Sequence, residues 1–330
     1  MQNDMIPSFP QISEIITKAR ESAYQKVNEE LIKMYWSIGQ FLSEESERAS
    51  YGDAYIDSIS EYINQEFPGI KGFTRRGLYR MKQFYETYRD DSNVTTLLTQ
   101  TSWSNHLAII SKAKTAEERH FYLTLCAKEH YTARELARQI DSAYYERYML
   151  SQDKILPELV GDDGVSPFLD TYVLDFLSLP QNYREKDLQK AILGDLKNFI
   201  LEIGKDFSFI GQEYKVEVGG RDFFIDLLFF HRGLSCLVAF ELKIGRFEPE
   251  YVSKMGFYLE ALDRQIKKDT ENPSVGVILC ASKDDEVVEY TLSRTLSPTM
   301  VAEYTLRLPD KQVLQRKLKE LTLLTPEKFE

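Results

Sequence analysis

The sequence predicts an α/β protein in which a helical N-terminal half precedes a C-terminal half built on a mixed sheet. Apolar residues recur at helical spacing through the first half. Beyond residue 184 the order becomes helix, three strands, helix and strand, which is typical of helices packed on a sheet. Between them, residues 150–170 collect Pro, Gly and Asp with little periodicity. We therefore expect a helical domain at 1–150, a linker at 151–183 and an α/β domain at 184–330.

The first half contains two capping boxes, in which Thr is followed three residues later by Glu. Thr115 with Glu118 opens one helix, and Thr132 with Glu135 opens the next. The short turn at His130-Tyr131 makes this pair a helix-turn-helix candidate. The predicted helices of this half are 10–47, 53–66, 74–90, 103–113, 115–129 and 132–148.

The second half alternates strands and helices after residue 184. Gly219-Gly220-Arg221-Asp222 and His231-Arg232-Gly233 are typical of tight turns between strands. The predicted helices are a short one at 170–178 and then 184–203, 249–264, 284–293 and 309–322. The predicted strands are 207–218, 223–230, 235–243, 274–281 and 300–307.

Composition restricts the class of protein. The net charge is −11, which argues mildly against a passive nucleic-acid coat but leaves a nuclease open, because nucleases concentrate carboxylates. The three cysteines lie far apart, so they indicate neither a zinc site nor a disulfide framework. The N-terminus lacks the pattern of a secretory signal, and no apolar run reaches the ~20 residues of a membrane span. We expect a soluble cytoplasmic protein without a membrane partner.

An acid stands inside an otherwise apolar strand. Asp226 lies in the middle of 223–230, whose Phe, Ile and Leu residues predict burial on both faces. A carboxylate in that position is costly unless it is paired, hydrogen-bonded or bound to a cation. Taken alone, the position is equally compatible with an Asp satisfied by neighbouring backbone or Arg groups.

The following strand adds a second acid and an amine. Glu241 and Lys243 are two residues apart, so they project on the same face of their strand. Two acids and an amine suit phosphodiester hydrolysis: carboxylates hold Mg²⁺, and a lysine neutralises charge that develops on the phosphate. The alternative is a surface salt bridge at a strand end.

The residues around these side chains carry a family resemblance. The stretch 185–281 resembles the PD-(D/E)XK nuclease superfamily, and VGGRDFFIDLLFFHRGLSCLVAFELKIGRFEPEYVSKMGFYLEALDR is similar to the YhcG-like family of bacterial nucleases. WSNHLAIISKAKTAEERHFYLTLCAKEHYTARELARQIDSAYYERY resembles the predicted winged-helix-type DNA-binding domain of that family. The resemblance implies a restriction-endonuclease-like core behind an all-helical or winged-helix-like N-terminal domain.

The resemblance also implies roles for individual residues. Asp226 and Glu241 correspond to metal ligands, with the backbone carbonyl of Leu242 completing the ligand set, and Lys243 corresponds to the catalytic lysine. The implied cofactor is Mg²⁺, for which Mn²⁺ can substitute.

Three further site residues come from the resemblance. The superfamily often has a Glu on the helix before the first core strand, for which Glu202 is the candidate; an ordinary exposed Glu is an equally good interpretation. Lys254 and Tyr258 are four apart and share a helix face. Many relatives have Gln at the position of Lys254, so this lysine contacts phosphate or merely lies at the sheet edge.

Two predicted helices of the first half carry arginines suited to phosphate contact. The alternative for both is a solvated charged face, since Glu135 and Asp141 are interleaved with the second set. The candidate DNA-contacting residues are Arg75, Arg76, Arg80, Arg134 and Arg138.

The leading hypothesis is a Mg²⁺-dependent endonuclease that hydrolyses DNA, with a role in bacterial mobile-element defence or recombination implied by the resemblance. One alternative is a DNA- or partner-binding protein that keeps a nuclease fold without significant turnover. Another is an RNA nuclease, which would use the same metal site. A homodimer is compatible with the long helix at 10–47, although no sustained heptad pattern requires one.

Overall fold

The computed structural model describes residues 8–48, 53–91, 94–152 and 166–324. The chain divides into two compact units, unit 1 (Met1–Ile140) and unit 2 (Asp141–Glu330). This division falls before the boundary predicted at residue 150. Much of the predicted linker, residues 153–165, lies outside the described residues.

Unit 1 is helical throughout its described residues. Neither a strand nor a wing occurs in the described part of unit 1, so the structure matches the all-helical alternative and not the winged-helix one. The helices are α1 (Ser8–Arg48), α2 (Asp53–Glu66), α3 (Arg75–Tyr88), α4 (Thr95–Gln100), α5 (Trp103–Lys112), α6 (Ala116–Glu129) and α7 (Ala133–Asp141).

The predicted caps begin α6 and α7. The Glu135 amide donates to Thr132 Oγ1 at 3.3 Å, and the Thr132 amide donates to the Glu135 carboxylate at 3.0 Å. Thr115 caps α6 by accepting from the Glu118 amide at 3.1 Å. These bonds satisfy amides that lack a partner within the helix. α6 ends at His130 in the left-handed conformation, so a short turn joins it to α7 as predicted.

The predicted continuous helix at 132–148 is wrong. α7 ends at Asp141, and Ala143 adopts φ +54° before α8 (Tyr144–Ser151) begins. Apolar spacing continues through this point, but the backbone leaves the helical conformation. The break coincides with the division between the two units.

The core of unit 1 forms where α1 packs on α3. Leu78, Met81 and Phe84 of α3 are fully buried. Gly39 allows close approach, because a Cβ there would lie 2.2 Å from the Met81 carbonyl oxygen. The ring of Trp36 meets Phe84 edge to face, with 5.7 Å between centroids.

Unit 2 contains a six-stranded mixed sheet in the order β1-β6-β5-β4-β3-β2. The β2–β3 and β3–β4 pairs are antiparallel, and the other three are parallel. The strands are β1 (Thr171–Val173), β2 (Phe207–Val218), β3 (Arg221–His231), β4 (Cys236–Arg246), β5 (Asn272–Ser282) and β6 (Thr299–Thr305). The helices after α8 are α9 (Glu185–Gly194), α10 (Leu196–Ile203), α11 (Glu250–Gln265), α12 (Asp285–Leu292) and α13 (Lys311–Leu324).

Two predicted helices of this half differ from the structure. The short helix at 170–178 is wrong, since β1 pairs there with β6 and the β-branched Thr171 and Val173 favour a strand. The single helix at 184–203 is divided into α9 and α10 by Asp195, whose φ of −131° and ψ of 46° lie outside the helical region.

The centre of the sheet is covered on both faces. Met255, Leu259 and Leu262 of α11 join the apolar cluster on one face. On the other, Phe199 of α10 packs with Phe229 and Phe240, each at 6.0 Å between ring centroids.

Among the described residues, none of the helices combines the length and the apolar character needed to cross a membrane.

Candidate active site

A fork between β3 and β4 positions the two predicted acids. The antiparallel pairing of these strands ends at Leu227 with Phe240. From there β3 stays paired with β2, and β4 stays paired with β5. Asp226 and Glu241 are the first residues beyond the last pair. The fork therefore brings the two carboxylates to one place, as strand geometry predicted.

The side chain of Asp226 bonds across the fork to the backbone of β4. Its Oδ2 accepts a hydrogen bond from the Leu242 amide at 2.8 Å, and its carbonyl accepts from Gln189 Nε2 at 2.9 Å. Burial raises the pKa of Asp226 to about 6, and repulsion from Glu241 adds to the effect. A positive charge placed beside this carboxylate would therefore stabilise its ionised form.

The strand around Asp226 does not alternate regularly. Ile225 and Leu228 both belong to the cluster beneath α11, although they are three residues apart. The alternation of side chains therefore shifts by one residue at Asp226–Leu227. The prediction that this strand is buried on both faces is wrong at Phe224, which is half exposed.

Glu241 is buried, with 1% of its surface exposed. Its Oε1 lies 3.0 Å from Lys243 Nζ and also contacts Lys254 Nζ. Its Oε2 has no hydrogen-bond partner among the described residues. A buried carboxylate oxygen without a donor is unfavourable, so this atom points to a ligand outside the chain.

Lys243 lies between two carboxylates. Its Nζ is 3.1 Å from Glu185 Oε2 and 5.2 Å from the ring centroid of Tyr251. Burial disfavours the ammonium, but the carboxylates of Glu241 and Glu185 outweigh burial and raise the pKa of Lys243. Lys243 is therefore a fixed positive charge at neutral pH.

Lys254 and Tyr258 approach the fork from α11. Burial opposes the charge of Lys254, but its bond to Glu241 outweighs burial and raises the pKa of the lysine. Lys254 Nζ lies 5.3 Å from the ring centroid of Tyr258, whose hydroxyl donates to the Phe224 carbonyl at 2.7 Å. Burial raises the pKa of Tyr258. The structure brings both predicted residues to the cluster.

Glu202 is not part of this cluster. Its carboxylate is fully buried, pairs with Arg147 at 2.7 Å and accepts from the Val173 amide at 2.7 Å. Val173 is on β1, which β6 and β5 separate from β4. The prediction that Glu202 lines the site is therefore not supported, and its contacts are those of a structural ion pair.

Sequence reasoning missed two residues of α9. Glu185 binds Lys243, and Gln189 binds the backbone of Asp226. They are four apart and so share a helix face. The four-residue spacing of these two side chains is visible in the sequence, whereas the resemblance implied Glu202 at the other end of the predicted helix.

The predicted DNA-contacting arginines lie in unit 1. Arg75 and Arg76 are exposed at the start of α3, where Arg75 pairs with Asp57 at 3.1 Å. Arg80 is half-buried on the same helix. On α7, Arg134 is exposed and Arg138 is half-buried.

The acidic side chains at the fork are the candidate ligands of a metal ion. In the ranges that the structure describes, no three His, Cys, Asp or Glu side chains form a metal-binding cluster. The fork instead offers two carboxylates, one with an unpartnered oxygen. Mg²⁺ is bound through one or two carboxylates with water and substrate oxygens completing its shell, so these residues fit such an ion.

The mixed sheet and the paired acids at its fork indicate a PD-(D/E)XK nuclease domain. Comparison with known proteins agrees with that class. A family model described as YhcG PDDEXK nuclease domain matches residues 166–319. A second, described as DUF1016 N-terminal domain, matches residues 11–147.

The chain is also 30% identical to the Escherichia coli (strain K12) protein named "Putative nuclease YhcG", over 93% of this chain and 92% of that protein. The chain belongs to the YhcG family and carries its PD-(D/E)XK nuclease domain.

Solved structures give weaker similarity. A repair endonuclease from Pyrococcus abyssi matches at 16% identity and a TM-score of 0.26, covering 40% of this chain and 50% of that one. The structure titled EndoMS-dsDNA2 complex matches at 16% identity and a TM-score of 0.27, covering 40% and 48%. This chain thus matches about half the length of each.

Proposed function

We propose that the protein is a metal-dependent endonuclease that hydrolyses phosphodiester bonds of DNA, with the fork of β3 and β4 as its active site. The observation that carries the proposal is the pair of Asp226 and Glu241. One carboxylate has a pKa raised to about 6, and the other is buried with an oxygen that lacks a donor among the described residues. Nothing in the packing of the described residues requires such a pair, whereas a divalent cation would stabilise it.

Asp226, Glu241 and the Leu242 carbonyl are the groups that would hold Mg²⁺ or Mn²⁺. When bound, such an ion polarises the phosphate and lowers the pKa of a coordinated water. The protein supplies the remaining chemistry. Lys243, held by Glu185, is a positioned ammonium that neutralises charge developing on the phosphate. The carboxylates of Glu241 and Glu185 raise the pKa of Lys243, which favours its charged form.

DNA as the substrate rests on family membership and on the arginines of unit 1. Arg76 and Arg134 are exposed on different helices, where they can contact phosphate without reading sequence. We propose that these residues, with Arg75, Arg80 and Arg138, bind the nucleic-acid backbone. RNA hydrolysis is the competing outcome of the same experiment.

The experiment compares wild type with Asp226→Asn and Lys243→Met on plasmid, linear duplex, single-stranded DNA and RNA, with Mg²⁺, Mn²⁺ or EDTA. We expect plasmid linearisation that EDTA abolishes and that each variant lowers at least ~1000-fold, the size typical for loss of a principal transition-state contact. Asp222→Asn is the matched control. It lies on the same strand but is exposed and paired with Lys215 at 2.9 Å.

Three results would contradict the proposal in different ways. Equal activity in wild type and Asp226→Asn would reject the site. Cleavage that persists in EDTA would reject metal dependence. Tight DNA binding without cleavage under every condition would favour the nuclease-fold binding protein instead.

A further inference from the structure

Helix α1 carries an apolar stripe that its own unit does not cover. Phe9, Val27 and Phe41 are each more than half exposed. Over 41 residues such a helix is ~60 Å long at 1.5 Å per residue. The stripe consists of Phe9, Ile12, Ile16, Ala19, Ala23, Val27, Leu31, Met34, Ile38 and Phe41.

The stripe is a second face and is not the one that packs inside unit 1. Ile32, Gly39 and Leu42 are buried on the side that meets α3. Val27 and Met34, on the other side, are exposed. Ile38, at the edge of the stripe, also packs against the unit 1 core. α1 is thus apolar on two sides and covered on one.

Within the described ranges, the N-terminal half of the helix lacks cover on every side. Each residue from 11 to 27 is exposed. Intrahelical ion pairs such as Glu14–Lys18 at 2.6 Å support it, but such exposed pairs contribute little to stability. In proteins most helical stability comes from packing of an apolar face. A helix of this length would therefore be stabilised by a partner that packs along the stripe.

We propose that the partner is α1 of a second copy of this chain, packed antiparallel. Between successive stripe residues the spacings are 3, 4, 3, 4, 4, 4, 3, 4 and 3, which read the same in both directions about Gln25. A two-fold axis perpendicular to the helices requires a surface complementary to its own reverse. The antiparallel pairs would be Phe9–Phe41, Ile12–Ile38, Ile16–Met34, Ala19–Leu31 and Ala23–Val27.

Size and charge are complementary in this arrangement. The two alanines near the midpoint face the larger Leu31 and Val27, as interlocking helices require. Glu30 lies within the stripe and pairs with Lys26 of its own helix at 3.3 Å. In the antiparallel dimer it also faces Arg20 of the second copy. Parallel pairing in register would bring Glu30 against Glu30.

The exposed area is of the right order for a dimer. Large side chains present roughly 150–250 Å² each, so the bulky stripe residues at about half exposure offer roughly 600 Å² per helix. Specific interfaces bury about 800 Å² per partner, a value that the flanking Tyr24 would help to reach. A membrane surface fits less well, because α1 contains seven acidic and five basic residues.

The first test measures the oligomeric state of the full chain by sedimentation equilibrium at micromolar concentration. We expect a mass of twice 38.4 kDa. Ile16→Glu should weaken dimerisation at least ~30-fold, as expected for a residue that contributes 2 kcal/mol or more to an interface. Ile15→Glu is the matched control. It has the same chemistry and is 66% exposed, but lies ~100° around the helix.

The second test fixes the orientation by disulfide formation. The native cysteines are buried, so they do not compete. A mixture of Ile16→Cys and Met34→Cys chains should form the mixed disulfide, whereas Ile16→Cys alone should not. In the antiparallel dimer the two copies of position 16 would be roughly 27 Å apart along the axis.

A monomeric wild type would overturn the proposal, as would a dimer that Ile16→Glu leaves intact. Rapid cross-linking of Ile16→Cys alone would reject the antiparallel arrangement. Binding of the monomer to anionic vesicles, lost in Ile16→Glu, would assign the stripe to a membrane instead. None of these measurements depends on nuclease activity, so this inference and the proposed function can fail separately.

Discussion

Two buried glutamates of unit 2 show how differently a protein can treat the same charged group. Glu202 is 0% exposed and Glu241 is 1% exposed. Glu202 accepts from the Arg147 guanidinium and the Val173 amide, both at 2.7 Å. Glu241 contacts two lysines through one oxygen, and its other oxygen lacks a donor among the described residues. Burial alone therefore does not distinguish these two acids, whereas hydrogen-bond satisfaction does.

The largest expected effect tests the satisfied side of this comparison. Arg147→Met leaves Glu202 buried without its cation, which typically destabilises a protein by about 3–5 kcal/mol. Urea denaturation followed by far-UV circular dichroism measures the loss. Circular dichroism is the suitable signal for unit 2, because Trp36 and Trp103 both lie in unit 1. A loss below 1 kcal/mol would show that this pair is not structural.

A buried histidine extends the comparison to unit 1. His106 Nε2 donates to the Leu98 carbonyl at 2.9 Å in the neutral ring, and burial lowers the pKa of His106 from 6.5 to about 4. Between pH 6.5 and pH 4 the His106 ring is protonated in the unfolded chain but neutral in the folded one. The free energy of unfolding is therefore highest above pH 6.5 and falls towards pH 4. The shift corresponds to about 3 kcal/mol.

Tryptophan fluorescence during urea denaturation at several pH values measures this dependence for unit 1. His106→Gln should flatten the profile between pH 6.5 and pH 4. His120→Gln, a substitution at an exposed position, is the control. A profile that His106→Gln leaves unchanged would assign the pH dependence to other groups.

Asp226, the acid beside Glu241, predicts stabilisation on loss of charge. The folded pKa of Asp226, about 6, exceeds its ordinary value of 3.8. Its contribution to stability is therefore full below pH 3.8 and is lost as pH rises through 6. Asp226→Asn should be about 3 kcal/mol more stable than wild type at pH 8 and equal to it near pH 4. Asp222→Asn should show no such difference, and destabilisation of Asp226→Asn at pH 8 would assign Asp226 to the structural class.

The smallest effect belongs to an exposed pair. Arg246 binds Asp284 at 2.9 Å, with the arginine side chain 60% exposed. Arg246→Met should cost ~0–1 kcal/mol, because water screens exposed charges. If Arg246→Met destabilises the protein as much as Arg147→Met does, burial does not explain the strength of the Arg147–Glu202 pair.

The site could be predicted from the sequence where charged residues stand inside or at the end of apolar strands. Asp226 is an acid inside an apolar run, and Glu241 and Lys243 share a face by simple alternation. The structure brings these three together, and their catalytic roles remain part of the proposal. The helix residue came from the resemblance, which implied a Glu on the helix before the first core strand and gave Glu202 as the candidate. The structure divides that predicted helix at Asp195, and Glu185 on its first part, α9, contacts Lys243.

Helix α1 illustrates a different limit. Its apolar spacing predicts a helix correctly, but periodicity does not tell which of two apolar faces the protein covers. Ile32 and Leu42 are buried, while Ile12 and Val27 follow the same rule and are exposed. Only packing separates the two sets.

The fork between β3 and β4 has an evolutionary consequence. Up to Leu227 and Phe240 each strand constrains its neighbour through backbone pairing and cross-strand contacts. Beyond that pair, residues 226 and 241 do not face each other across a ladder. Under the proposed function, substitutions at these two positions would alter reactivity while the paired strands keep their register, and a change of Asp226 would remove its bond to the Leu242 amide. A lineage could then gain, retune or lose catalysis while it inherits the same sheet.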